Sequence, residues 1–261
     1  MKVVLFCGGY GLRLRDHAPR IPKPVVPLGN EPLVLHVMRY YAHFGHDEFI
    51  LCLGYRGDSI RAYFEERRWA SASPAAQADD PRQDVDRWSI TFADTGLDAT
   101  IGDRLRLVRP LVEDEPMFLA NYSDSLTDAD LPSRLASFEA SRNVASFMAV
   151  RPHLSLHHVE VDEDSGRVIS IRGIREALRI NGGFFVLRQG IFDVLDEGDE
   201  LVERPFAKLM ERGALTAQVY DGFWSTVDTF KDHQRLDALL QRGPAPWQLW
   251  RLRGPALEMH A

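Results

Sequence analysis

Met1-Lys2-Val3-Val4-Leu5-Phe6-Cys7-Gly8-Gly9-Tyr10-Gly11-Leu12-Arg13-Leu14 opens the chain. Residues 2–7 form an essentially continuous apolar run stopped by Gly8-Gly9, the pattern of a strand buried on both faces. Glycines after such a strand let backbone N–H groups approach phosphate oxygens with no Cβ in the way. Two phosphate-binding signatures can be excluded. A P-loop needs Gly-Lys-Ser/Thr, and the chain has no Gly-Lys pair; the dinucleotide fingerprint fails at Leu14. No helix follows promptly either, because Pro19, Pro22, Pro24 and Pro27 keep the chain extended. Arg13, Arg15, Arg20 and Lys23 instead set several cations beside backbone donors, which suits a triphosphate. The alternative is a tight turn with solvated basic residues.

Beyond the loop, Leu33, Val37, Met38, Tyr41 and Phe44 recur at helical spacing and predict a helix over 31–44, with Gly45 as its stop. A buried strand over 48–53 and a helix over 58–69 follow. This alternation of strand and helix predicts an α/β fold built on a doubly wound, mainly parallel sheet. The polar, Pro-containing stretch 71–86 reads as a surface loop. Further strands are expected at 88–94, 117–122, 144–150, 183–187 and 215–220, and helices at 131–142, 200–211 and 229–241. Glu163-Asp164-Ser165-Gly166 between two alternating stretches marks an inserted antiparallel hairpin. A single domain over residues 1–261 is expected.

Composition narrows the classes of function. With 45% hydrophobic and 26% charged residues in 261, the chain can bury a large core and is not disordered. A net charge of −7 argues against duplex nucleic acid or an anionic membrane surface as partner, since both need clustered Lys and Arg. Cys7 and Cys52 make neither a disulfide framework nor a zinc site. With no long apolar run, the expectation is a reduced, cytoplasmic protein.

Two aspartates stand out. Asp124, in Tyr122-Ser123-Asp124-Ser125, ends an apolar strand, where an open α/β sheet forms its ligand crevice. It can serve a hard cation such as Mg²⁺ or simply make a turn. Asp228 stands where a helix begins, so an N-cap role competes with a metal role. Nothing local shows that the two meet. His157, His158 and Glu160 lack a third ligand at zinc spacing.

Taken together, Gly8-Gly9-Tyr10-Gly11-Leu12-Arg13, Pro22-Lys23-Pro24, Asp94-Thr95-Gly96, Asn181-Gly182-Gly183-Phe184-Phe185, Asp221-Gly222-Phe223-Trp224 and Asp228-Thr229 resemble, in order, the motifs of the sugar-1-phosphate nucleotidyltransferases. Within that family they look most like the glucose-1-phosphate cytidylyltransferase branch. The resemblance implies a Rossmann-like nucleotidyltransferase fold, nucleoside triphosphate (CTP) and sugar 1-phosphate as substrates, and a homo-oligomer. It implies that Gly8, Gly9, Gly11, Arg13, Lys23, Thr95 and Gly96 bind the nucleotide, with Arg13 and Lys23 catalytic. It further implies Asp124 and Asp228 as ligands of Mg²⁺, and Asn181 and Gly182 on the sugar phosphate. Ile171-Arg172-Gly173 stands where the family carries Glu-Lys-Pro, so Arg172 is expected to take the sugar phosphate, and the acceptor to differ from glucose 1-phosphate. A binding module that has lost catalysis is the competing expectation.

Overall fold

The computed structural model describes residues 1–10, 21–71, 83–153 and 156–252. The chain begins with β1 (Val3–Phe6), β2 (Pro27–Leu28), β3 (Glu31–Pro32) and α1 (Leu33–His43). β4 (Glu48–Leu53), α2 (Gly57–Ser71), β5 (Ser89–Asp94), α3 (Ile101–Leu107) and α4 (Arg109–Val112) follow. The middle holds β6 (Met117–Tyr122), β7 (Ser125–Thr127), α5 (Leu131–Glu139), β8 (Ala145–Val150), β9 (His157–Val161) and β10 (Val168–Gly173). Then come α6 (Ile174–Ala177), β11 (Ile180–Asn181), β12 (Phe185–Arg188) and α7 (Arg204–Glu211). β13 (Leu215–Tyr220), β14 (Trp224–Thr226), α8 (Phe230–Gln241) and α9 (Leu249–Leu252) close the described chain.

Among the described residues eight strands form one mixed sheet. β6, β1, β4 and β5 lie side by side in parallel, with β1 central. β12 joins β6 antiparallel, β8 joins β12 antiparallel, and β13 runs parallel to β8. β1 shows why its sequence is apolar throughout. Val3 and Leu5 enter the core on one face of the sheet, Val4 and Phe6 the core on the other. Helices cover both faces, so the period-two alternation has no polar side.

The expected α/β class and the antiparallel hairpin (β9 with β10) are both present. Three boundaries move for local reasons. The helix expected from 200 starts at Arg204, because Pro205 has no N–H to give and belongs in a first turn. The strand expected from 183 starts at Phe185, because Gly183 and Phe184 both take positive φ, +76° and +53°. The helix expected from 31 starts after Pro32. α3 escaped the sequence reading, although Thr100 and Asp103 carry its cap: the Thr100 side chain accepts the Asp103 N–H.

Candidate active site

Parallel strands point their carboxyl ends to one edge, and that edge opens into a cleft of about 430 Å³. Gly9, Lys23, Tyr122, Asp124 and Asp228 line it toward β1 and β6; Ala99, Ile101, Arg104 and Glu200 line it toward β5. Cys7 also borders it, but burial pushes its thiol up to about 12, so it stays protonated and is no nucleophile.

On the β6 side, two aspartates distant in sequence are joined by a short ribbon. β7 pairs antiparallel with β14, Thr226 opposite Ser125, and the Val227 N–H donates to the Asp124 carbonyl at 3.2 Å. Asp124 and Asp228 thereby flank Lys23, whose ammonium bonds the Asp124 carboxylate and, at 2.7 Å, Asp228 Oδ1. Burial works to lower the Lys23 pKa, but the two carboxylates prevail and hold it above its ordinary value. Lys23 stands in a 3-10 turn, Lys23–Val25, fixed by Pro22 and Pro24 on either side. Asp228 is not the cap of α8: Thr229 is, in a reciprocal capping box with Asp232. The capping alternative for Asp228 therefore falls.

Because one ammonium reaches both carboxylates, a divalent cation placed there would find both as well. Among the described residues no group of three His, Cys, Asp or Glu gathers around a possible ion. The donor set is two carboxylates, which suits Mg²⁺ completed by phosphate and water oxygens.

Arg104 organises the β5 side. Its buried guanidinium donates to the carbonyls of Gly8 (3.2 Å), Leu53 (3.2 Å), Gly96 (3.0 Å) and Leu97 (3.4 Å), and to Thr95 Oγ1 at 2.6 Å. One side chain thus ties the loops after β1, β4 and β5. Gly8 is glycine for this reason, since a Cβ there would stand 2.0 Å from Arg104 Nη1. Gly54 faces backbone instead: its Cβ would meet the Gly8 and Gly96 carbonyls at 2.6 and 2.7 Å. Thr95 is buried and its hydroxyl donates to Leu53 O at 2.7 Å, so it supports Arg104 from behind the cleft wall. Gly96 adopts φ +88° beside it.

On the opposite side of β6, Asn181 donates from Nδ2 to the Tyr122 hydroxyl at 3.1 Å and accepts the Gly183 N–H at 2.9 Å. Burial, chiefly, pushes the Tyr122 phenol up to about 12. The Gly182 carbonyl accepts Trp224 Nε1 at 2.8 Å. Arg172 lies on β10, exposed, 3.9 Å from Glu160. Gly11 and Arg13 lie outside the described residues. Trp247 packs fully in the core, stacked on Phe223 with ring centroids 5.4 Å apart.

An open α/β sheet with a charged cleft at its strand ends is the architecture of a phosphate-handling transferase, and comparison with known proteins agrees. The chain belongs to the nucleotidyl transferase family, whose model matches residues 2–238. It is 31% identical over 256 residues to a glucose-1-phosphate cytidylyltransferase of Salmonella typhi, covering 96% of this chain and 100% of that protein. A probable glucose-1-phosphate cytidylyltransferase of Bacillus subtilis is 30% identical with the same coverage. A solved putative glucose-1-phosphate thymidylyltransferase of Bacillus anthracis shares the fold, with TM-score 0.65 and 17% identity over 92% of this chain and 94% of that one.

Proposed function

We propose that the chain transfers a cytidylyl group from CTP to a sugar 1-phosphate, releasing pyrophosphate. The observation that carries this is the junction of Lys23, Asp124 and Asp228 at the carboxyl ends of β1 and β6. The strand order suggests the layout of substrates. The nucleotide lies toward β4 and β5, its phosphates pass the Gly8-Gly9 turn, and the acceptor lies toward β12 and β11, where Asn181 and Gly182 stand.

A phosphate oxygen of the acceptor attacks the α-phosphorus, the bond to the pyrophosphate oxygen breaks, and pyrophosphate leaves. No covalent enzyme intermediate is needed, so the work is alignment and charge neutralisation. Lys23 is held in place by its two prolines and by both carboxylates, and turns its charge to the α-phosphoryl oxygens as they crowd. Mg²⁺ shared by Asp124 and Asp228 would neutralise charge on the triphosphate. Arg13 is assigned to the leaving pyrophosphate, and Arg172 to the acceptor phosphate.

Ile171 cannot accept hydrogen bonds from a sugar hydroxyl, so we propose an acceptor less polar there than glucose. The enzyme is proposed to work as a cytoplasmic homo-oligomer; among the described residues no helix is long and apolar enough to cross a membrane. The test is pyrophosphate release over four nucleoside triphosphates and a panel of sugar 1-phosphates, with and without Mg²⁺. Turnover with CTP and a sugar 1-phosphate that chelator abolishes is expected. Absence of turnover with every pair overturns the reading.

A further inference from the structure

Glu200 is a carboxylate in the cleft wall that the transfer chemistry leaves unused. It is held at the β5 end. The segment carrying it docks on the start of α3: Thr100 Oγ1 donates to the Asp199 carbonyl at 2.7 Å, and the Gly198 N–H to Asp103 Oδ1 at 2.9 Å. A Cβ on Gly102 would sit 2.2 Å from the Asp199 carbonyl oxygen, so this docking requires glycine. The backbone leading to Glu200 is therefore fixed, while the carboxylate has acceptor capacity toward the cleft.

The phosphate groups are not its ligand, because the phosphate end is marked by Lys23 and the Asp124–Asp228 pair near β1 and β6, and a carboxylate repels a phosphate where no cation bridges them. β4 and β5 lie on the side of β1 away from β6, whereas Asn181 of β11 reaches Tyr122 from beyond β6. The part of the nucleotide that points away from both metal and acceptor is the base. An ionised carboxylate accepts and never donates. At position 4 cytosine carries an amino donor and uracil a carbonyl acceptor, and a carboxylate accepting from the cytosine amino group is an established pairing.

We infer that Glu200 reads the base, accepting a hydrogen bond from the exocyclic amino group of cytosine and rejecting uracil by opposing its carbonyl. The inference rests on the CTP reading above and names the residue behind it. The docking of Gly198 and Asp199 on the start of α3 holds the half-buried Glu200 at the cleft wall, so the wrong base meets an unpaired acceptor there.

The experiment measures dissociation constants of CTP and UTP by calorimetry in wild type, Glu200→Gln and Glu200→Ala, with melting temperatures as a control. The binding measurement needs no acceptor sugar, and a separate turnover assay of the same variants reads the Michaelis constant of the sugar phosphate. Wild type should favour CTP. Glu200→Gln should lower the UTP-to-CTP ratio of dissociation constants by about ten- to hundredfold, because its amide can donate to uracil. Glu200→Ala should lower the ratio by weakening CTP without strengthening UTP. An unchanged ratio in both variants overturns the role of Glu200 while the CTP reading stands. A wild type that binds both equally overturns the CTP reading, and this inference with it. If only the Michaelis constant of the sugar phosphate moves in Glu200→Gln, the carboxylate serves the acceptor, and the inference is wrong.

Discussion

Arg104 and Arg172 stand at opposite ends of one sheet edge and are held in opposite ways. β8 is antiparallel to β12 and β12 to β6, so β8 ends on the same edge as β1, and the β9–β10 hairpin departs from there. Arg104 is 3% exposed and anchored by four carbonyls and a hydroxyl. The Arg172 side chain is 61% exposed, with Glu160 its ion-pair partner. The hairpin is solvent-exposed along β9, and Ile171 beside Arg172 is exposed as well. In the proposed layout the nucleotide end has its hydrogen bonds already made, and the acceptor end leaves a cation in water for a ligand to recruit.

The junction between these ends carries the largest expected effect. Lys23→Met should lower kcat by about a hundred- to a thousandfold, the usual loss on removing one charge-stabilising donor. Single-turnover rates check it, and a near-normal kcat would make Lys23 a structural strut. Arg104→Ala comes next. It strands several carbonyls and should cost about 2–3 kcal/mol in urea unfolding while weakening nucleotide binding. If stability falls and nucleotide affinity does not, the rigidity of that end serves the fold alone.

Arg172→Ala should leave unfolding within about 0.5 kcal/mol, as an exposed pair contributes little. Its Michaelis constant for the sugar phosphate should still rise about tenfold, one charge-assisted contact being worth about 1.5 kcal/mol. An unchanged constant removes Arg172 from the acceptor site and erases the contrast between the two ends.

The smallest effect lies under α1, away from both. Trp247 Nε1 donates to His36 Nδ1 at 3.2 Å and His36 Nε2 contacts Leu28 O at 3.0 Å, which sets the neutral tautomer with its proton on Nε2. Burial lowers the His36 pKa in the folded chain. Below about 6.5 the unfolded chain then binds the extra proton first, so stability falls as pH drops and recovers as pH rises. Urea midpoints from about pH 5 to 7 should show that slope, and His36→Gln should reduce it to the part left by His46 and His153, whose pKa values burial also lowers. An equal slope in both would place the acid sensitivity elsewhere.

The sequence was explicit wherever structure is local. The apolar run over residues 2–7, the spacing of Leu33, Val37, Met38 and Tyr41, and the turn at Glu163-Asp164-Ser165-Gly166 specified elements and fold class, because periodicity and turn chemistry act over a few residues. The ordered motifs identified the chemistry. The sequence by itself could not show that Asp124 and Asp228 share Lys23. That depends on β7 pairing with β14 across about a hundred residues, and on Thr229 taking over the cap. It could not rank Arg104 above the other arginines either. A guanidinium becomes a clamp only when strand order brings the carbonyls of Gly8, Leu53 and Gly96 around it, and a tertiary arrangement of this kind leaves no periodic trace in the chain.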